Sequence, residues 1–173
     1  MNIKSFRLLM ASLTFGLFSM AAFAETAQPT DAEQVAGIQK MCTDASSAIQ
    51  KRQAEKSLFD LLGGEQKIET LARNIIEAHQ KNAKISPMFA NIDKAKVIKH
   101  VTEFLVVGTG GKGNYTGKDM VSVHRTLNIS NGDFLAAGGD VQGVMKQMEY
   151  TENEIQEIVC ALTSFVPVVV TQR

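Results

Sequence analysis

The residues Gly108-Thr109-Gly110-Gly111-Lys112-Gly113-Asn114-Tyr115-Thr116-Gly117-Lys118-Asp119-Met120-Val121-Ser122-Val123-His124 decide how this chain is read. Five glycines between positions 108 and 117 rule out a stable helix interior there. Helix-period patterns stand on both sides. Upstream, Asp93 is placed to cap a segment with Val97, Val101, Phe104 and Leu105 on one face. Downstream, Met120, Val123, His124 and Leu127 form a short apolar-faced segment that breaks at 128–132. The run from Gly108 to Gly113 also satisfies G-x-G-x-x-G, with Asp133 following 20 residues later. That fingerprint works only between a strand and a helix N-terminus. Here a helix pattern comes first and a turn follows, and Gly113 stands where a P-loop needs Ser or Thr. Nucleotide binding is set aside.

Outward from this stretch the same period recurs. Thr30 with Glu33 is a capping box ahead of a stripe of Val35, Ile38, Cys42, Ala45 and Ile49. Residues 57–62 read as a short turn of helix closed by Gly63-Gly64, and Ile68, Leu71, Ala72, Ile75, Ile76 and His79 mark the next helix. Residues 81–87 form a connector, because Pro87 disfavours helix in Ser86. A helix over 134–148 is loosened by Gly138-Gly139, and Thr151 with Glu154 opens a terminal helix carrying Ile155, Ile158, Val159, Leu162 and Phe165. Only 166–170 would pass for a strand. The expected fold class is all-α.

The 173 residues, 45% hydrophobic and 21% charged, amount to one domain and argue against disorder, collagen and coiled coil. Lys+Arg and Asp+Glu are equal at 18 each. Residues 1–24 hold Lys4 and Arg7 and no acid, so the rest carries 16 basic and 18 acidic groups. No electrostatic case exists for nucleic acid. Lys4 and Arg7, the apolar run from Leu8 to Met20, and Ala22-Phe23-Ala24 read as a signal peptide over 1–24. The run is too short for a bilayer span, although an uncleaved anchor is the other reading. The mature chain would then be exported, periplasmic and without a membrane span. Residues 25–56 would form an extension with an amphipathic helix, and 57–173 the main domain.

The three histidines carry most of the chemistry; no carboxylate pair, nucleophile elbow or HExxH appears. His124 falls in the middle of the Met120/Val123/Leu127 stripe, which predicts a buried imidazole needing a partner. A core histidine bonded to a carbonyl and a ligand-presenting histidine both satisfy that pattern. His100 borders the Val97/Val101/Phe104 stripe, at a pocket edge or facing solvent. His79 reads as a partly buried packing residue.

From Ser57 onward the order of motifs resembles the group I truncated haemoglobins, small two-over-two helical globins. The resemblance rests on Leu58-Phe59-Asp60-Leu61-Leu62-Gly63-Gly64, Met88-Phe89-Ala90-Asn91-Ile92-Asp93, Phe104-Leu105 with Gly110-Gly111, and Tyr115-x-Gly117-x-x-Met120-x-x-x-His124. It implies a two-over-two globin fold, with the N-terminal helix as an addition. It also implies non-covalent haem b with His124 as proximal iron ligand and Phe89 packed on the haem. Tyr115 and Lys118 would lie near the propionates and Met120 beside the ligand. Val97, Val101, Phe104 and Leu105 would line the distal side, and Val144, Met145 and Met148 the inner wall. The family's distal tyrosine aligns with Ile76 and its distal glutamines with Val97 and Val101, which leaves His100 as the only polar candidate there.

Three functions follow as expectations. The first is a globin binding O₂, NO or CO, with oxygen transport or NO and oxidant detoxification downstream. The second is a six-coordinate protein with His124 and His100 as axial ligands, fed by an electron-donor protein. The third is a haem-free helical interaction domain. Cys42 lies on the apolar face of the extra helix and Cys160 off the Ile155/Val159/Leu162 stripe. A disulfide between them is expected, against two free thiols as the alternative.

Overall fold

A computed structural model describes residues 28–172. The expected signal peptide, 1–24, lies outside the described residues. Within them the chain forms eight α-helices and one 3-10 turn, with no strand. The helices are α1 (Asp31–Glu55), α2 (Leu58–Leu61), α3 (Gly64–Lys81), α4 (Lys94–Gly108), α5 (Met120–His124), α6 (Asn131–Gln147), α7 (Glu152–Thr163) and α8 (Val166–Val169). The 3-10 turn is Ser86–Phe89. All-α is the fold class observed.

Side-chain caps set most of the boundaries. The Thr30–Glu33 and Thr151–Glu154 boxes open α1 and α7, and Asp93 accepts the Lys96 N–H at the start of α4. A third box, Ser130 with Asp133, starts α6 three residues before the sequence pattern placed it. The helix then runs through Gly138 and Gly139 unbroken. Residues 166–170 are not a strand: Pro167 in the first turn favours a helical start, and the chain makes the four-residue α8. Beyond it, Thr171 and Gln172 donate to the Ile129 carbonyl, fastening the chain end to the segment after α5.

Three glycines shape the turns. Gly63 and Gly64 have φ of 88° and 79°, where an L side chain is strained. Gly111 brings the loop after α4 down onto α2, since a Cβ there would stand 2.5 Å from the Phe59 ring.

The core sits where α3 packs on α4 and α6, and α6 on α7. Leu62, Ile68, Leu71, Met145 and Ile158 are fully buried in it. These pairs are the two-over-two arrangement. Outside them, α1 lies across α6 and α7 and uses its expected stripe, with Val35 buried and Ile38, Cys42, Ala45 and Ile49 half-buried. Cys42 and Cys160 are joined, with Cα atoms 5.3 Å apart. Nearby, Glu157, with a side chain 1% exposed, accepts from Arg52 Nε at 2.7 Å and Gln53 Nε2 at 3.0 Å. Two positive or polar donors satisfy a carboxylate that burial would otherwise penalise.

Candidate functional site

Helix α4 has two working faces. Its buried stripe is Ile98, Thr102, Leu105 and Val106, turned toward α3. This corrects the sequence expectation of one stripe through Val97, Val101, Phe104 and Leu105: the inward face is offset by one residue. Val97, His100, Val101 and Phe104, spaced at three and four, form a second, half-buried face. His100 therefore stands within a face rather than beside one. Val107, next along it, is 42% exposed.

An aromatic cluster is built on that face. The Tyr115 ring lies edge-on to His100 (centroids 6.2 Å apart) and to Phe104 (5.9 Å), and Phe104 meets Phe165 at 5.5 Å. The Tyr115 hydroxyl donates to the Lys118 carbonyl at 2.7 Å, closing the turn before α5. Burial first, then the charges of Glu103 and Asp119, raise the Tyr115 hydroxyl above its usual pKa. The glycine-rich loop is pinned to α4 by Glu103, which accepts from the Thr116 N–H at 2.9 Å and hydroxyl at 2.7 Å and pairs with Lys99. The hydrogen bond from Lys99, with those from Thr116, lowers the Glu103 carboxyl to about 2. Sequence reasoning missed Glu103: its i,i+4 spacing from Lys99 is visible, but its bond to Thr116 crosses 13 positions.

His124 ends α5, which Asp119 caps through the Ser122 N–H. That capping, chiefly the Ser122 hydroxyl and then its N–H, holds the Asp119 carboxyl below its usual range. His124 is half-buried, not buried as its stripe predicted. Val121 and Val123 beside it are 49% and 42% exposed. The physical reason is that α5 packs on α8 alone among the neighbouring helices that contact it substantially, and a five-residue helix leaves most of its circumference uncovered by protein. His124 Nδ1 stands 2.8 Å from the Met120 carbonyl. Since a carbonyl only accepts, the Nδ1–H donates to it and Nε2 keeps its lone pair.

The other expected residues are dispersed. Leu105 and Val144 are buried in the central core, and Met145 is fully buried there. Met148 packs against that core and its sulfur accepts from Asn74. Phe89 sits on the 3-10 turn with its ring 5.3 Å from His79. His79 is 8% exposed and paired with Asp140 at 2.8 Å, while Asn82 bonds the second Asp140 oxygen. Lys118 is exposed and Ile76 buried. A cleft of about 170 Å³ between α1, α6 and α7, lined by Ile38, Phe134, Leu135 and Leu162 among others, shares no residue with this set.

An imidazole lone pair and an apolar, half-buried face are the two features that a flat, metal-bearing group requires. His124 offers a free imidazole lone pair at the edge of uncovered valines, and α4 supplies a half-buried apolar face with one histidine in it. Among the described residues no three His, Cys, Asp or Glu side chains gather to hold a metal by themselves.

Residues 57–170 match the bacterial-like globin family model. The group 1 truncated haemoglobin of Tetrahymena pyriformis is 26% identical over 102 residues, 59% of this chain and 84% of that protein. The corresponding protein of Synechocystis is 28% identical over 106 residues, 59% of this chain and 86% of its own length. The crystal structure of the Tetrahymena pyriformis truncated haemoglobin in its Fe(III) form superposes with a TM-score of 0.64 at 23% identity, over 66% of this chain and 98% of that one. The chain belongs to the bacterial-like globin family and has the two-over-two fold of a group I truncated haemoglobin.

Proposed function

We propose that this chain is a haem-binding globin whose iron is held by His124 through Nε2 and which binds a diatomic ligand, O₂, NO or CO. The observation that carries the reading is the His124 Nδ1–H bond to the Met120 carbonyl, which fixes the tautomer and leaves Nε2 free, as a metal-bound imidazole requires. When bound, haem b supplies iron able to bind small diatomic molecules. The chain does the rest. Val97, Val101 and Phe104 would keep one face apolar and exclude water, Phe89 would pack on the macrocycle, and Lys118 would offer a cation to its acidic edge.

His100 supports a second reading. It is the one imidazole among the apolar residues Val97, Val101 and Phe104 of α4, and its Nδ1 is buried without a hydrogen bond. Such a residue suits a second axial ligand in a six-coordinate protein fed by an electron-donor partner, whereas oxygen transport and NO or oxidant detoxification belong to the gas-binding reading. The absorption spectrum of haem-loaded protein decides among the readings. A five-coordinate ferrous spectrum supports gas binding, and a low-spin spectrum without added ligand supports the histidine pair. A colourless protein with haem supplied overturns both.

We also propose export with cleavage after Ala24, into a periplasmic setting where the Cys42–Cys160 bond persists. A mature N-terminus other than Glu25 on the secreted protein would overturn this.

A further inference from the structure

Glu103 touches more than the loop it pins. Its Oε2, already accepting from Thr116, stands 3.6 Å from His100 Nδ1. That nitrogen is buried and lacks a hydrogen bond, so a slight turn of the ring completes one. The other groups around the ring do not compete. Tyr115 presents its ring edge and commits its hydroxyl to Lys118, and Lys99 is engaged with Glu103 and Thr116.

A neutral imidazole carries one N–H, and an ionised carboxylate can only accept. Beside Glu103 the proton belongs on Nδ1, and the lone pair is then on Nε2. A lone pair can bind iron; it cannot donate to a diatomic ligand. We propose that Glu103 is a positioning residue that fixes His100 as the Nδ1–H tautomer and so makes it an iron ligand rather than a hydrogen-bond donor. The iron half of this rests on the histidine-pair reading of the haem site, whereas the tautomer is a property of the chain's own side chains.

The test uses full-length protein loaded with zinc protoporphyrin, which takes one axial ligand and leaves His100 free, and in parallel protein loaded with haem. In the zinc form, long-range proton–nitrogen NMR should find the His100 proton on Nδ1. In Glu103→Leu no acceptor faces Nδ1, so the proton should move to Nε2, the nitrogen that carries it in an imidazole with neither nitrogen engaged. In the haem form the same variant should shift the six- to five-coordinate ratio about tenfold toward five-coordinate, the scale on which outer-shell partners act. Its O₂ dissociation should slow as Nε2–H becomes a donor. Thr116→Ala removes one contact to the carboxylate but not the carboxylate, and should leave tautomer and spectrum as in wild type. A wild-type proton on Nε2, an unchanged coordination ratio in Glu103→Leu, or a Thr116→Ala effect as large as that of Glu103→Leu would each overturn the proposal. A chain that takes up neither porphyrin overturns the haem reading itself, and the iron half with it.

Discussion

His124 and His79 are both imidazoles with one nitrogen engaged, yet their replacement should have opposite consequences. His124 spends Nδ1 on the Met120 carbonyl and keeps Nε2 free. His124→Ala removes the iron–nitrogen bond of the proposed site, so the haem spectrum should be lost or weakened. His79 is tied to Asp140, and Asn82 to the same carboxylate. His79→Ala should retain a near-native spectrum while losing about 2 kcal/mol of stability in denaturant titration, the scale of a hydrogen bond to a charged group. If the spectra behave the other way round, His124 is not the ligand. The sequence made His124 conspicuous because glycines isolate it, yet it overstated its burial, since a helical wheel assumes protein under every apolar face. Asp140 was invisible as a partner because 61 positions separate it from His79.

Among the elements, α1 is the addition to the globin pattern, and three residues bind it to α7: Cys42, Arg52 and Gln53. Closing a loop with a sequence separation of 118 should contribute about 4–5 kcal/mol by the chain-entropy account. Reduction should lower the denaturant midpoint by a corresponding amount, and titratable thiols in unreduced, denatured protein would show that the bond is absent. Arg52→Ala leaves the buried Glu157 charge with Gln53 alone and should cost about 3 kcal/mol; a loss below about 1 kcal/mol would show that the Arg52–Glu157 pair contributes little. Element type was legible wherever caps and a 3.6 period coincided, as in α1, α4 and α7. It failed at the ends. The Ser130–Asp133 box was passed over because Asn and Gly inside it read as a break, and 166–169 was ambiguous because four β-branched or cyclic residues carry no period. The face of α4 was misjudged by one residue because two apolar stripes share that helix.

At the scale of the molecule, several carboxylates are held below their usual range by the structure they stabilise. Glu33 and Asp133 sit in capping boxes with Thr30 and Ser130, and Glu103, at about 2 against an ordinary 4.5, holds the loop. A depressed folded-state pKa gives stability that is present above the unfolded value and lost as pH falls through the folded one. The unfolding midpoint should therefore decline between about pH 4.5 and pH 2, and less steeply in Glu103→Gln; a flat profile over that window would contradict the assignment. Fold class and order of helices were readable from one sequence because each helix carries its own period and punctuation. The site was half-readable, because the loop-to-helix bond at Thr116 and Glu103 appears only once the chain has closed on itself. That closure has a further consequence. His100 lies before the exposed Lys112 and His124 after it, as Cys42 and Cys160 do. A protease that nicks the glycine-rich loop after Lys112 would separate the chain into two polypeptides, one with each histidine and each cysteine. The disulfide would keep them one molecule, so a nicked sample should migrate as a single band on a non-reducing gel and as two once reductant is added.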